Sequence, residues 1–478
     1  MRLLTLATAL AVALLVGATA ASALEVGAND DSAKHSDDRG ETMFTEMAAL
    51  GLRQVVVGVR FTPSQPDVIP ERRLLEQVVP KALDAGLRVV FAVFPYPTRE
   101  IEAGLGSPDQ FGAWAREVAR AFPQVRRFVV GNEPNQPAFW RPQFDAGGKN
   151  ASAGSFGPYL AAAYDALKAV DPGTTVIGVG LSPRGNDKPN ANGNISTSPV
   201  RFLRALGAWY RASGRTRPLM DGFSFHPYPA KATDPLDRGY GWPNAGFVNL
   251  DRIKQALWDA FGGTAQPTTL SGLKLHLDEV GWQVDTAGQG AYQGSENVPV
   301  TDEETQAKIY AELVRRAACD PDVAGISFFG FRDDGLRTGF QAGLQTADGV
   351  PRPATDAVRE AITETARGCP KPLQPWQPET TVVGVKATVL AGKSRVSARV
   401  VAGEDARGSV CVRERERAGA AKSGPRCVPI TLRGMRPQTV SLVPPATKSP
   451  QVEVKVDLAA EANPTRRTTV VKRAALGP

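Results

Sequence analysis

Arg127-Phe-Val-Val-Gly-Asn-Glu-Pro-Asn135 is the stretch from which the fold is read. Phe128 to Val130 form a short apolar run, read as a buried strand, that enters a tight polar turn carrying Asn132 and Glu133. An acidic residue where a hydrophobic strand ends, followed at once by proline, is badly placed for a core. It is well placed at the mouth of a barrel, where functional groups project from strand ends. A plain surface turn would also accommodate this peptide taken alone. A second such site weighs against that: Leu275-His-Leu-Asp-Glu-Val-Gly-Trp282 ends another apolar strand in Glu279.

Outward from these two sites, strand and helix signals alternate. Apolar runs at Leu24–Asn29, Gln54–Phe61, Leu87–Phe94 and Phe128–Glu133 are read as the first four strands. Thr175–Leu181, Gly222–His226, Leu273–Glu279 and Val323–Phe331 are read as the next four. Between them lie helical stripes such as Phe111, Trp114, Val118 and Phe122, spaced for one helix face. The strands are continuous apolar runs, as a parallel sheet covered on both faces requires. Eight such units in roughly 345 residues predict a (β/α)8 barrel with enlarged loops. An open doubly wound sheet competes, but no glycine-rich phosphate loop follows the first strand.

The boundaries follow from changes in texture. Residues 1–23 read as a secretory signal: Arg2, the apolar run Leu3 to Val16, and small residues at Ala21-Ser-Ala23. Residues 24–369 are assigned to the barrel and 370–380, rich in proline, to a stiff linker. Short strand signals over 381–458 predict a small β-sandwich-like module. Residues 459–478, polar and basic, are expected to be a disordered tail. A chain ending near Cys369 is therefore expected to fold alone.

Composition excludes several classes. A net charge of +7 on 478 residues is a mild excess spread along the chain, not a nucleic-acid footprint. After the signal no apolar stretch approaches about 18 residues, so no membrane span is expected. The protein is expected to be secreted, extracellular and monomeric. Its four cysteines fit no zinc spacing and, outside the cytosol, are expected to pair. Cys319 and Cys369 lie at the ends of the last two barrel helices, and Cys411 and Cys427 lie in adjacent predicted strands. The expected pairs are Cys319–Cys369 and Cys411–Cys427. No His/Asp cluster has metal-ligand spacing, so neither a metal nor another cofactor is expected.

In a (β/α)8 barrel all strand C-termini open onto one face, so Glu133 and Glu279 can meet across the mouth. Two carboxylates so held suit retaining glycoside hydrolysis, one attacking the anomeric carbon and the other serving as acid and then base. Asn132-Glu133 after strand four and Glu279 after strand seven resemble the signature of clan A, the retaining (β/α)8 glycoside hydrolases that include cellulases and β-xylosidases. The resemblance covers about residues 24–369. It implies that Glu133 is the acid/base, Glu279 the nucleophile, and Asn132 a ligand of the substrate's 2-hydroxyl. His226-Pro-Tyr228 matches the clan's His-x-Tyr element, with the tyrosine donating to Glu279 and the histidine lining the cleft. Arg60, ending strand two, stands where clan members keep an arginine that steadies the nucleophile.

Two departures from cellulases stand out. Phe94-Pro-Tyr96 occupies the place of a histidine after strand three. Phe328-Phe-Gly-Phe-Arg-Asp333 lacks the tryptophan expected after strand eight, so Phe331 is assigned the sugar-floor position. Trp282, Trp140, Trp242, Tyr240 and Tyr292 lie in long loops and are expected to offer stacking surfaces to sugar rings. His35 and His276 are read as structural, and strand alternation from Glu279 turns His276 towards the helix layer. The resulting expectation is a secreted retaining β-glycosidase acting on an oligo- or polysaccharide. The alternatives are a transglycosylase using the same residues and a non-catalytic carbohydrate-binding protein on a degenerate barrel.

Overall fold

The computed structural model describes residues 23–414, 424–445 and 451–476, so the expected signal segment lies outside the described residues except for Ala23. Eight parallel strands close into a barrel in chain order. They are β1 (Glu25–Asn29), β2 (Gln54–Phe61), β3 (Arg88–Pro95), β4 (Arg127–Val130), β5 (Thr175–Leu181), β6 (Gly222–Phe225), β7 (Lys274–Val280) and β8 (Val323–Phe329). β8 pairs back onto β1, with Val26 opposite Ile326. Strand alternation splits the apolar residues between two layers. Val55, Val57 and Val59 of β2 face the helices and share a core with Met43 and Met47, whereas Val56, Val90, Val129 and Ile177 pack together inside the barrel. Both faces being buried is why these strands read as unbroken apolar runs. Glu25, at the start of β1, is paired with Arg88 and Arg127.

Cys319 ends the helix Glu303–Cys319, Cys369 follows the helix Pro353–Thr365, and the two are bonded with Cα atoms 4.9 Å apart. The 370–380 segment is fastened to the barrel. Leu373 N donates to the Cys319 carbonyl at 2.8 Å, and Glu379 N donates to Gln255 Oε1 at 2.8 Å.

Beyond it two antiparallel sheets face each other. One has the order β13 (Gln438–Leu442), β10 (Val396–Val401), β9 (Lys386–Ala391). The other has the order β12 (Arg426–Leu432), β11 (Ala406–Glu414), β14 (Gln451–Ala460), β15 (Arg467–Ala475). Their inward residues, among them Val396, Ala398 and Val400 with Val410, Val454 and Val456, form a second core. Cys411 and Cys427 are directly opposed on β11 and β12 and bonded, with Cα atoms 4.0 Å apart. The tail expected to be disordered is in fact largely a strand: β15 pairs with β14 from Arg467 to Ala475. Thr468, Val470 and Ala474 are its half-buried positions, while Arg467 and Arg473 stand on the exposed positions. Basic residues on an edge strand discourage further pairing, and that composition is what reads as a tail. Residues 477–478 lie outside the described residues.

The module is seated on the barrel by buried charge. Asp405, at the turn before β11, accepts from Arg201 Nη2 at 2.9 Å and from Gly434 N at 2.9 Å. Arg201 also bonds Asp187 at 2.9 Å, and Arg466 lies 3.4 Å from Asp259 while pairing with Glu404. Cutting the chain at Cys369 would take away Asp405 and Arg466, the charged partners of Arg201 and Asp259 at this junction. The barrel is thus less independent of the module than the linker's composition implies.

Candidate active site

The turn after β4 is bent to present Glu133. Gly131 has φ 110°, and a Cβ there would meet the Val179 carbonyl at 2.5 Å, so the position requires glycine. Glu133 itself has φ 41°, a conformation that costs energy for a side-chain-bearing residue and that clusters at functional sites. Its N–H bonds the Gly180 carbonyl on β5 at 2.6 Å, which pins the turn.

Across the mouth, Glu279 stands near the end of β7. Tyr228 OH donates to its Oε2 at 3.2 Å and Asn29 Nδ2 donates to its Oε1 at 3.2 Å. His226, wholly buried after β6, lies between the two glutamates, with Nδ1 3.3 Å from Glu133 Oε1 and 3.4 Å from Glu279 Oε2. Its Nε2 is 3.7 Å from Asp278 Oδ1, and Asp278 also accepts from Ser224 Oγ inside the barrel.

Three carboxylates around one imidazole decide its charge. Burial disfavours the cation, but Glu279, Glu133 and Asp278 outweigh it and hold the His226 pKa at about 9. Burial pushes Glu279 up to about 7, against the pull of the His226 cation and with the push of Glu133 and Asp278. Burial raises Asp278 as well. The Tyr228 phenol is held well above its ordinary value by burial and then by Glu279 and Glu133, so it stays a neutral donor.

The cleft around these groups encloses about 640 Å³ and is lined by Asn132, Glu133, Tyr228, Glu279, Phe329 and Phe340 among others. Tyr228 packs against both phenylalanines, at 6.1 and 6.0 Å between ring centroids. Phe329, not Phe331, is the aromatic that β8 delivers to the cleft. The strand ends at Phe329, Gly330 turns the chain with φ 78°, and Phe331 is buried with its N–H on Asp30 Oδ2 at 2.7 Å.

Several expected sugar platforms are structural. Trp282 is buried with its indole N–H on the Asp234 carbonyl at 2.9 Å. Trp140 folds back onto Phe156 and Tyr159, at 5.2 and 5.1 Å, and bonds Ser155. Trp242 faces the β module, with Nε1 3.4 Å from Asp405 Oδ1. Tyr292 bonds Asp333 at 2.7 Å, and Tyr240 bonds the Tyr228 carbonyl at 3.0 Å, one step behind the site. Long loops need anchors, and these rings anchor them. Arg60 is exposed and lies over the Tyr96 ring at 5.2 Å, while Glu279 is held by Asn29, Tyr228 and His226.

His276 does not face the helix layer. It lines a small interior void with Val56, Val90 and Asp278, while Leu275 and Leu277 face the helices. The register of β7 shifts between Leu277 and Val280, which takes Glu279 out of the alternation from which His276 was read.

Asn29, Asp278 and Ser224 were missed by sequence reasoning. Asn29 carried the same signal as Glu133 and Glu279, a polar residue closing an apolar strand. Asp278 was hidden by its neighbour. Among the described residues no group of three His, Cys, Asp or Glu is arranged to hold a metal ion.

Fold and site together define a (β/α)8 protein with two carboxylates facing each other at the C-terminal mouth, bridged by a buried histidine. No family model and no curated protein matches the chain. Solved structures of similar fold include glycoside hydrolases. A family 39 glycoside hydrolase from the gut symbiont Bacteroides cellulosilyticus WH2 aligns over 88% of this chain and 81% of its own, with TM-score 0.51 and 15% identity. A GH5_18 protein from Streptomyces cattleya, solved with GlcNAc, aligns over 76% and 84% with TM-score 0.49 and 17% identity. A monomeric beta-xylosidase from Caulobacter crescentus CB15 aligns over 88% and 96% with TM-score 0.45 and 14% identity. At these identities the likeness is one of fold.

Proposed function

We propose that this protein is an exported retaining β-glycosidase that cleaves an oligo- or polysaccharide by double displacement, with Glu279 as nucleophile and Glu133 as acid/base. The observation that carries this reading is the sharing of His226 Nδ1 by both carboxylates, at 3.3 and 3.4 Å. Those two oxygens are therefore no farther apart than the two contacts laid end to end. That limit barely reaches the separation of an inverting pair, about 6.5–9.5 Å, and accommodates the retaining one, about 5–5.5 Å. A glycoside hydrolase of the same fold supports the class of chemistry by analogy.

The roles follow from the surroundings. Asn29 and Tyr228 each donate to one oxygen of Glu279, which fixes the carboxylate plane towards the anomeric carbon. Glu133 protonates the leaving oxygen and then takes the proton of the incoming water. The imidazolium of His226 stays between them, steadying whichever carboxylate is charged. Asn132 holds the 2-hydroxyl as the oxocarbenium develops. Turnover of a panel of aryl β-glycosides, with the first-formed anomer followed by NMR, tests the reading. An α-anomer as first product, or no turnover of any β-glycoside, would sink it.

The pH profile should expose the nucleophile. A dinitrophenyl glycoside needs no acid, so kcat/KM should fall as pH drops through about 7, where Glu279 takes up its proton. The His226 cation holds Glu279 down, so His226→Gln should move that limb to higher pH. A limb near pH 4, or a shift the other way, would contradict the assignment.

A further inference from the structure

A second groove, of about 890 Å³, opens beside the catalytic cleft, within the about 300–1,000 Å³ typical of ligand sites. The two adjoin: Asn194 lines both, and the cleft's Gln136 is followed directly by the groove's Pro137. Its walls are the loop after β4 that carries Glu133, the loop after β5, and Arg433 from the β module. It thus lies on the Glu133 side of the carboxylate pair. Resting on the glycosidase reading, that is the side on which the protonated leaving group departs.

The groove's chemistry suits neutral sugars. Each of its acidic groups has a partner within the chain. Asp187 is held by Arg201 at 2.9 Å, Asp145 Oδ1 accepts from the Gly147 and Lys149 amides at 2.9 Å, and Glu102 sits 3.7 Å from Arg141. The groove also presents the guanidinium groups of Arg141 and Arg433, amide and carbonyl edges, the faces of Pro137, Pro142 and Pro189, and the half-buried ring of Phe144. Hydroxyls can bond the first set and the C–H faces of sugar rings can lie on the second. Arg433 is kept near by Asp405, 3.8 Å from its Nη1, and Asp405 is the residue that seats the module on the barrel.

We infer that this groove binds the leaving-side units of a neutral β-linked glycan and that the β module forms one of its walls. The substrate is then a chain that continues beyond the scissile bond, and the module belongs to the substrate-binding surface.

Calorimetric titration of the Glu279→Gln protein with the bioses and hexaoses of the cello-, xylo- and manno- series tests this without turnover. For one series the hexaose should bind at least about tenfold tighter than the biose. Arg433→Ala and Arg141→Ala, each added singly, should narrow that gap by roughly three- to tenfold, the worth of one or two hydrogen bonds. The native protein should turn over a dinitrophenyl glycoside, which is the readout of the glycosidase reading itself. Equal binding of biose and hexaose, a gap that survives both substitutions, or no binding of any series overturns the groove assignment. Loss of dinitrophenyl glycoside turnover in the native protein instead overturns the glycosidase reading, so the two failures are told apart.

Discussion

Replacing Glu279 by alanine should abolish activity on every substrate, and replacing Glu133 should not. With Glu279 as the proposed nucleophile, no glycosyl-enzyme should form without it, whatever the leaving group, so the loss should be on the order of 10⁴-fold or more throughout. Without Glu133 proton donation is lost, which matters in proportion to the basicity of the leaving oxygen. Natural glycosides should therefore lose about 10²–10⁴-fold, while a dinitrophenyl glycoside should still form the glycosyl-enzyme in a burst. The slow second step should be rescued by azide, a nucleophile that needs no general base, with β-glycosyl azide as the product. The geometry gives this asymmetry its basis. Glu279 is oriented by two neutral donors, Asn29 and Tyr228, whereas Glu133 is held by a strained turn beside His226. A common dependence on leaving group in both variants, or azide rescue of Glu279→Ala alone to a β-product, would remove the assigned roles.

The elements that sequence reasoning recovered are those with local signals. Parallel strands buried on both faces are apolar throughout, so β2 and β5 are visible as Val/Ile-rich runs, and helix stripes such as Phe111, Trp114 and Val118 show their period directly. The placement of Glu133 and Glu279 at the barrel mouth was legible because acidic residues rarely close apolar strands. What was not legible depended on where a loop folds after it leaves the barrel. Trp140 and Trp282 lie in loops after β4 and β7, yet each ring is turned into the protein, with its indole N–H on Ser155 and on the Asp234 carbonyl. No spacing rule encodes that choice. The inward turn of His276 is hidden for a related reason, since a register shift between Leu277 and Val280 breaks the period-two alternation within β7 itself. β15 escaped because an edge strand's protective charges resemble those of a solvated tail.

The largest stability effect is expected far from the carboxylate pair, at Asp333. The Arg352 and Asp333 side chains are both fully buried and paired with each other. Asp333 also accepts from Tyr292 OH at 2.7 Å and from Gly343 N at 2.7 Å, so one carboxylate ties the loop after β7 to the chain after β8 and to the cap of the helix Pro353–Thr365. Burial pushes Asp333 up, and the Arg352 guanidinium opposes that rise. Asp333→Ala leaves the guanidinium with Glu303, itself about a third exposed, as its remaining carboxylate partner. Removing one partner of such a pair costs about 3–5 kcal/mol, because the surviving charge stays desolvated. The variant's denaturation midpoint should fall accordingly in urea. Double replacement, Asp333→Ala with Arg352→Met, should recover part of the loss by removing the stranded charge along with its partner, although Tyr292 OH is then left without its acceptor. Equal or greater loss in the double variant would mean that Asp333 acts through its bonds to Tyr292 and Gly343 and not through the ion pair. If Asp333→Ala cost less than about 1 kcal/mol, the range of an exposed pair, the buried pair would not be a determinant of stability at all.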